Sequence, residues 1–183
     1  MNDDKNQGID PLTQITNRKQ FEKYLEEQWQ HLALEQKPIS MIYCDIDCLK
    51  TYNDHYGHSI GDDCICQIAK NIRDTASSFV DISVTARCGG DEFWIILPNT
   101  DATNAIEIAE KIRSEVNALQ IFNESPNLSR FVLSKFVTLS LGVSTTIPDI
   151  NVLPGELLRA ADTAIQEAKN DGRNRVIFKE FTA

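Results

Sequence analysis

The chain predicts a mixed α/β (α+β) fold: a ferredoxin-like sheet, antiparallel at its centre and flanked by helices. Three observations carry that prediction. Strand and helix patterns follow one another through the middle of the chain in the order strand, helix, strand, strand, helix, strand, the split β-α-β arrangement. A glycine pair, Gly89 and Gly90, separates two strand-like runs and marks a hairpin. A 42% hydrophobic content over 183 residues, with no Pro-, Gly- or Ser-rich linker, suits one domain with a sizeable core.

Residues 1–9 read as a flexible tail, so a single domain is expected over residues 10–183. Phe21, Leu25, Trp29 and Leu32 recur at helical spacing and predict a helix from about Asn17 to about Leu34. Pro38 introduces the run ISMIYCDID, an apolar strand that ends in acids. Thr51 to Asp62 is polar, contains two glycines and reads as a turn; Ile60, Cys64, Ile68 and Ile72 then mark a second long helix. Ile82, Val84 and Ala86 alternate with polar residues ahead of the glycine pair, and Phe93 to Leu97 form the apolar run behind it. Ala105, Ile108, Ile112, Val116 and Leu119 give a third helix. Val137, Leu139, Leu141 and Val143 alternate as a half-buried strand does. Leu157, Leu158, Ala161, Ile165 and Ala168 make a last long helix, ended by Gly172, and Val176 to Phe178 adds a short strand. The helices are expected on one face of the sheet, with extra elements at its edges.

A net charge of −9 argues against a protein that holds nucleic acid by neutralising phosphates. Phosphate binding would have to be local, with metal ions helping. No apolar stretch approaches the roughly 20 residues that span a bilayer, and the opening MNDDKNQG is unlike a secretory signal. No membrane insertion is expected, and the cytoplasm is the expected location. Cys44, Cys48, Cys64, Cys66 and Cys88 lack paired Cys-x-x-Cys spacing and read as reduced thiols rather than a zinc site.

Four polar constellations stand out. In RCGGDEF, Arg87 to Phe93, the glycines are expected to supply positive φ and to let a ligand approach the backbone, with Asp91 and Glu92 at the mouth of the turn. An ordinary hairpin with solvated acids would look the same. Asp45 and Asp47 lie two apart, so both side chains point to one face of the strand, and a ferredoxin-like order brings Asp45 close to Asp91 and Glu92. Clustered carboxylates suit a hard cation such as magnesium, although Asp45 and Asp47 also suit a plain strand end. Asn53 and Asp62 can offer amide and carboxylate groups to a purine edge, or simply form a turn and a helix start. Lys169 and Arg173, four apart at a helix end, can share one face and grip phosphates, or answer the helix dipole.

Together these segments resemble the GGDEF family of diguanylate cyclases, from about Asp10 to about Val176. DPLTQITNR, DIDCLKTYNDHYGHSIGD, RCGGDEF, TLSLGVS and ADTAIQEAKNDGRNRV stand in the family's order. The resemblance implies a palm-type fold similar to nucleotidyl cyclases and polymerase palms. It implies condensation of two GTP molecules into cyclic di-GMP, with pyrophosphate released and the active site completed between two subunits of a transient or signal-induced homodimer. Carried over by position, Asp45, the backbone carbonyl of Ile46, Asp91 and Glu92 would bind magnesium, with manganese as the alternative. Asp91, Glu92 and Lys50 would serve catalysis. Asn53 and Asp62 would recognise guanine, and Leu49 (through its backbone), Gly89, Gly90, Lys169 and Arg173 would line the path of the triphosphate. Asp47 stays outside the metal shell, and Arg87 and His58 are supporting residues.

The sequence also departs from the family. The Arg-x-x-Asp product-inhibition site ahead of the signature reads Val80, Asp81, Ile82, Ser83, without its arginine and its final aspartate. Gln14 and Ile15 stand where Gly and Leu are usual, Leu49 replaces a usual Phe, and Gln166 stands where an aromatic is common. A sensory or receiver domain is expected in the full-length protein, since the residues ahead of the motif region are too few to form one. The alternative function is a catalytically silent GTP-binding regulatory module; intact Asp45, Asp91 and Glu92 speak against it.

Overall fold

The computed structural model describes residues 8–126 and 134–181. Six strands among these residues form one sheet: β1 (Thr16–Asn17), β2 (Ile39–Ile46), β3 (Val84–Arg87), β4 (Glu92–Pro98), β5 (Leu139–Thr146) and β6 (Val176–Glu180), in the order β1-β3-β4-β2-β5-β6. The four central strands pair antiparallel, while β1 joins β3 and β6 joins β5 in parallel. The ferredoxin-like centre is as predicted, with one short strand added at each edge.

Among the described residues five helices cover the sheet: α1 (Arg18–Glu35), α2 (Leu49–Tyr56), α3 (His58–Phe79), α4 (Ala102–Ala118) and α5 (Gly155–Asn170). They occupy both faces, not the single face expected. Phe21, Trp29, Ala161 and Ile165 of α1 and α5 pack with Met41, Tyr43 and Trp94. Ile68, Ile72, Ile108 and Ile112 of α3 and α4 pack with Ile42, Cys44 and Ile95 on the other side. The cause is legible in ISMIYCDI, an unbroken run in which all eight residues are buried, since a strand covered on both faces has no polar side to show.

Local chemistry sets the ends of the elements. Asn17 caps α1 by accepting from Gln20 N–H at 3.0 Å. Asp101 does the same for α4, accepting from Asn104 N–H at 2.9 Å. Ile9 bridges Thr16 and Gly8 O accepts from Asn17 N–H at 3.0 Å, so residues 8 and 9 belong to the domain rather than to a tail; residues 1–7 lie outside the described residues. The segment Thr51–Asp62, expected as a turn, is helical on both sides of a break at Gly57, whose φ is +88°. Burial of Leu49, Tyr52 and Gly61 overrides the turn preference of Asn, Asp and Gly. Gly142 on β5 has a different purpose: a Cβ there would lie 2.2 Å from Ala161 O and 2.5 Å from Ile165 N. Its absence lets α5 press against the sheet and carry Lys169 over the end of β2. No helix among the described residues is long and apolar enough to cross a membrane.

Candidate active site

The C-terminal end of β2 carries Asp45 directly opposite Glu92 of β4 and Ser140 of β5. Asp45 is only 7% exposed, and Lys169 Nζ reaches its Oδ2 at 2.7 Å. Burial pushes the Asp45 carboxyl from 3.8 up to about 7; the charges of Asp91 and Asp47 add to the rise, and Lys169 opposes it. This is a buried carboxylate that needs a counter-charge. Of the predicted set, Asp45, Glu92 and Lys169 therefore come together.

The signature hairpin is tied down from both sides. Ile46 N–H donates to Asp91 O at 3.1 Å and Cys88 N–H to Glu92 O at 2.9 Å. Arg87 donates from Nη2 to Gly90 O at 2.8 Å and from Nη1 to Asp10 Oδ1 at 3.4 Å, and so braces the turn. Neither Gly89 nor Gly90 has positive φ, contrary to expectation. At Gly89 the constraint is room: a Cβ would sit 2.4 Å from Glu92 Oε2. At Gly90 nothing lies within 4 Å, so the backbone is open to a ligand. Glu92 also accepts from the Tyr43 hydroxyl, whose pKa burial and then Glu92 push up.

On the next elements, Cys48 adopts φ +60° and the first backbone bond of α2 runs from Tyr52 N–H to Cys48 O at 3.0 Å. The amides of Leu49, Lys50 and Thr51 thus form the unsatisfied first turn of α2. Leu49 is buried, while Lys50 is exposed. Asn53 Oδ1 is buried without a hydrogen-bond partner and lies against Gly61, where a Cβ would come within 1.8 Å of it. A buried acceptor without a donor is costly in an empty site and useful to an incoming N–H. Asp62 is exposed beside Gly61, four residues inside α3 rather than at its start, and His58 opens α3 exposed.

Arg173 does not share a helix face with Lys169, because α5 ends at Asn170 and Arg173 lies beyond it at φ +64°. Asp47 is engaged elsewhere: it accepts from Thr138 Oγ1 at 2.7 Å, Ser140 Oγ at 2.6 Å and Asn174 N–H at 3.1 Å. Sequence reasoning missed the parts played by Tyr43, Gly61, Thr138, Ser140 and Asn174. Only Gly61, a glycine inside a helical pattern, carried a readable signal.

Among the described residues no three His, Cys, Asp or Glu side chains converge to make a closed metal cage. The donor set still fits magnesium, which is held by one or two carboxylates together with substrate phosphates. The five cysteines are free thiols.

A sequence model of the family described as diguanylate cyclase, GGDEF domain, matches residues 7–175. The chain belongs to this family. It is 37% identical over 169 residues to the diguanylate cyclase DgcM of Escherichia coli K12, covering 92% of this chain and 37% of that protein. It is 35% identical over 170 residues to the response regulator PleD of Caulobacter vibrioides, covering 93% of this chain and 36% of PleD. This GGDEF domain therefore spans well under half the length of these relatives. Among solved structures, the GGDEF domain of DgcB from Caulobacter crescentus, in complex with c-di-GMP, superposes with a TM-score of 0.81 at 30% identity over 93% of this chain and 92% of that one. The active GGEEF domain of a Vibrio cholerae diguanylate cyclase gives 0.76 at 28% identity over 93% and 99%. The palm-type fold implied by the motifs is thus the fold of this GGDEF domain.

Proposed function

We propose that this GGDEF domain is a diguanylate cyclase that condenses two GTP molecules into cyclic di-GMP, one held by each of two copies of the domain. The observation that carries the reading is buried Asp45, opposite Glu92 and 2.7 Å from Lys169 at the end of β2. Each 3′-oxygen bonds to the α-phosphorus of the opposing nucleotide as that phosphorus loses its bond to pyrophosphate. Glu92 is the carboxylate placed to take the hydroxyl proton or to complete the ion's ligands. Asp45, Asp91, Glu92 and the Ile46 carbonyl would hold magnesium, or manganese, which when bound would supply Lewis-acid polarisation of the phosphate and offset charge on the leaving group. Asn53, through its unpartnered Oδ1, and Asp62 take the guanine edge. The first-turn amides from Leu49, with Lys50, Lys169 and Arg173, meet the triphosphate, and the open backbone at Gly90 lets it pass.

Cytoplasmic GTP is the substrate in this reading, and a sensory or receiver domain in the full-length protein brings the two copies together. The domain begins by residue 10 and runs to the end of the chain. The test is incubation with GTP, then GTP with ATP, in magnesium buffer, with products identified by mass spectrometry. Cyclic di-GMP, lost in Asp91→Ala, supports the proposal; tight GTP binding without product supports a silent regulatory module instead. Activity per molecule should also fall steeply on dilution, and a flat profile would contradict a site shared between copies.

A further inference from the structure

The turn after α5 is held in a conformation that most residues avoid. Gly172, Arg173 and Asn174 follow one another at φ +107°, +64° and +48°. Only the first is a glycine, and an L-residue in the left-handed region is disfavoured by roughly tenfold at each position. Such a turn persists only where its surroundings fix it.

Five hydrogen bonds do so. Arg173 N–H closes the end of α5 by donating to Ala168 O at 2.9 Å. Asn174 N–H donates to Asp47 Oδ2 at 3.1 Å, while Asn174 Oδ1 accepts from Arg113 Nη1 at 3.1 Å and Asn117 Nδ2 at 3.2 Å on α4. Arg175 O accepts from Leu141 N–H at 2.9 Å, which starts the β5–β6 pairing. Asp47 is itself fixed: it is 3% exposed and its two oxygens take the Thr138 and Ser140 hydroxyls as well. The Arg173 charge lies close enough to favour the ionised Asp47 and to act on Cys48 at the start of α2.

We propose that Asp47 and Asn174 form a positioning pair, which holds the left-handed turn so that Arg173 stands beside the first turn of α2, where a nucleotide phosphate would bind. This assignment rests on the reading of Arg173 as a phosphate contact. Asp47 is thus a residue that acts through another, and neither it nor Asn174 touches substrate.

The geometry distinguishes this role from simple support of the fold. In Asp47→Asn the two hydroxyls can reverse from donor to acceptor, but Asn174 N–H can only donate, so the amide oxygen turns to it and the turn survives. Asp47→Ala removes that acceptor. GTP affinity, measured by titration, should fall about tenfold in Arg173→Ala, the usual loss for a charged hydrogen bond. In the Asp47→Ala background the same change should cost less than about twofold, because the guanidinium has already lost its place. Asp47→Asn should restore the full effect. Asn174→Ala keeps the N–H donated to Asp47 but removes the Oδ1 that Arg113 and Asn117 hold and puts alanine at φ +48°, so it should release the turn from its other side and carries the same cycle if Asp47→Ala does not fold. Additive losses in the cycle, or wild-type affinity in both alanine variants, would overturn the positioning role. Unchanged affinity in Arg173→Ala alone would remove the phosphate contact and the inference built on it.

Discussion

Gly61→Ala separates folding from nucleotide recognition in one substitution. Alanine in the interior of a helix ordinarily stabilises by about 0.5–1 kcal/mol over glycine. At position 61 the atoms nearest its Cβ would all belong to the Asn53 side chain, Oδ1 at 1.8 Å and Cγ at 2.8 Å. A relaxed contact needs roughly 3.5 Å, so the amide must swing away by more than about 1.5 Å. Among the described residues Asn53 Oδ1 has no hydrogen bond to lose when it swings. Stability should therefore hold or rise by up to about 1 kcal/mol, a shift of about 2–4 °C in melting temperature for a domain of this size. The loss falls on the nucleotide: one hydrogen bond to the base, worth about 0.5–1.5 kcal/mol, or roughly a 2- to 12-fold weaker grip on GTP with a smaller preference over ATP. Thermal unfolding and nucleotide titration on the same preparation measure both. A variant destabilised by more than about 1 kcal/mol, or one that binds GTP like the wild type, would refute the assignment of Gly61 as the space reserved for Asn53.

Gly142→Ala should behave in the opposite way, because its Cβ would meet backbone, Ala161 O at 2.2 Å and Ile165 N at 2.5 Å, and should cost about 3 kcal/mol in urea unfolding; an unchanged midpoint would sink the claim that α5 packs directly on β5. Lys169→Met should be pH-dependent: the folded Asp45 carboxyl is raised from 3.8 to about 7, so folding favours its neutral form, and that contribution is complete below 3.8 and lost as pH rises through about 7. Lys169 limits the loss, so the variant should fall behind the wild type by about 2 kcal/mol near pH 8.5, fall behind little near pH 5.5, and recover with magnesium, whereas an equal deficit at both pH values would contradict the pairing. With Val80 and Ser83 at the ends of the inhibitory tetrad, excess cyclic di-GMP should leave initial rates unchanged, and calorimetric titration showing tight product binding at that surface would argue otherwise.

What the sequence made legible follows from where physics is local. Helical periodicity in Phe21, Leu25, Trp29 and Leu32 located α1 to within a residue, since a buried stripe on one helix needs no knowledge of its partner. The six-element order predicted the central sheet and the nearness of Asp45 to Asp91 and Glu92, and the structure sets the register that pairs Asp45 with Glu92. The unreadable part is tertiary. Asn, Asp and Gly from Thr51 to Asp62 favour turns in isolation, yet Leu49 and Tyr52 bury one side of α2 and make the segment helical. Arg173 sat four residues from Lys169, but Gly172 ends the helix geometry that spacing argument assumed. Gln14, in place of the usual glycine, adopts φ +58°, so the backbone requirement survives even where the residue that meets it most easily does not. Asp47 was kept outside the metal shell without a role of its own, and only the folded chain brings Thr138, Ser140 and Asn174 to it.

Glycines at three positions show how such a site is built by omission. None of Gly61, Gly89 and Gly142 uses positive φ, so conformational freedom does not explain them. Each instead leaves a gap that another group fills: Asn53 at Gly61, Glu92 at Gly89, and the backbone of α5 at Gly142. The first two gaps admit single side chains, Asn53 with a buried and unpartnered oxygen and Glu92 opposite Asp45. The third sets how closely a whole helix approaches the sheet, and with it the 2.7 Å contact of Lys169 to Asp45. A side chain added at the first two positions displaces an atom of the proposed chemistry and leaves the fold standing. At the third it moves the helix that carries the counter-charge, so stability and the site fail together.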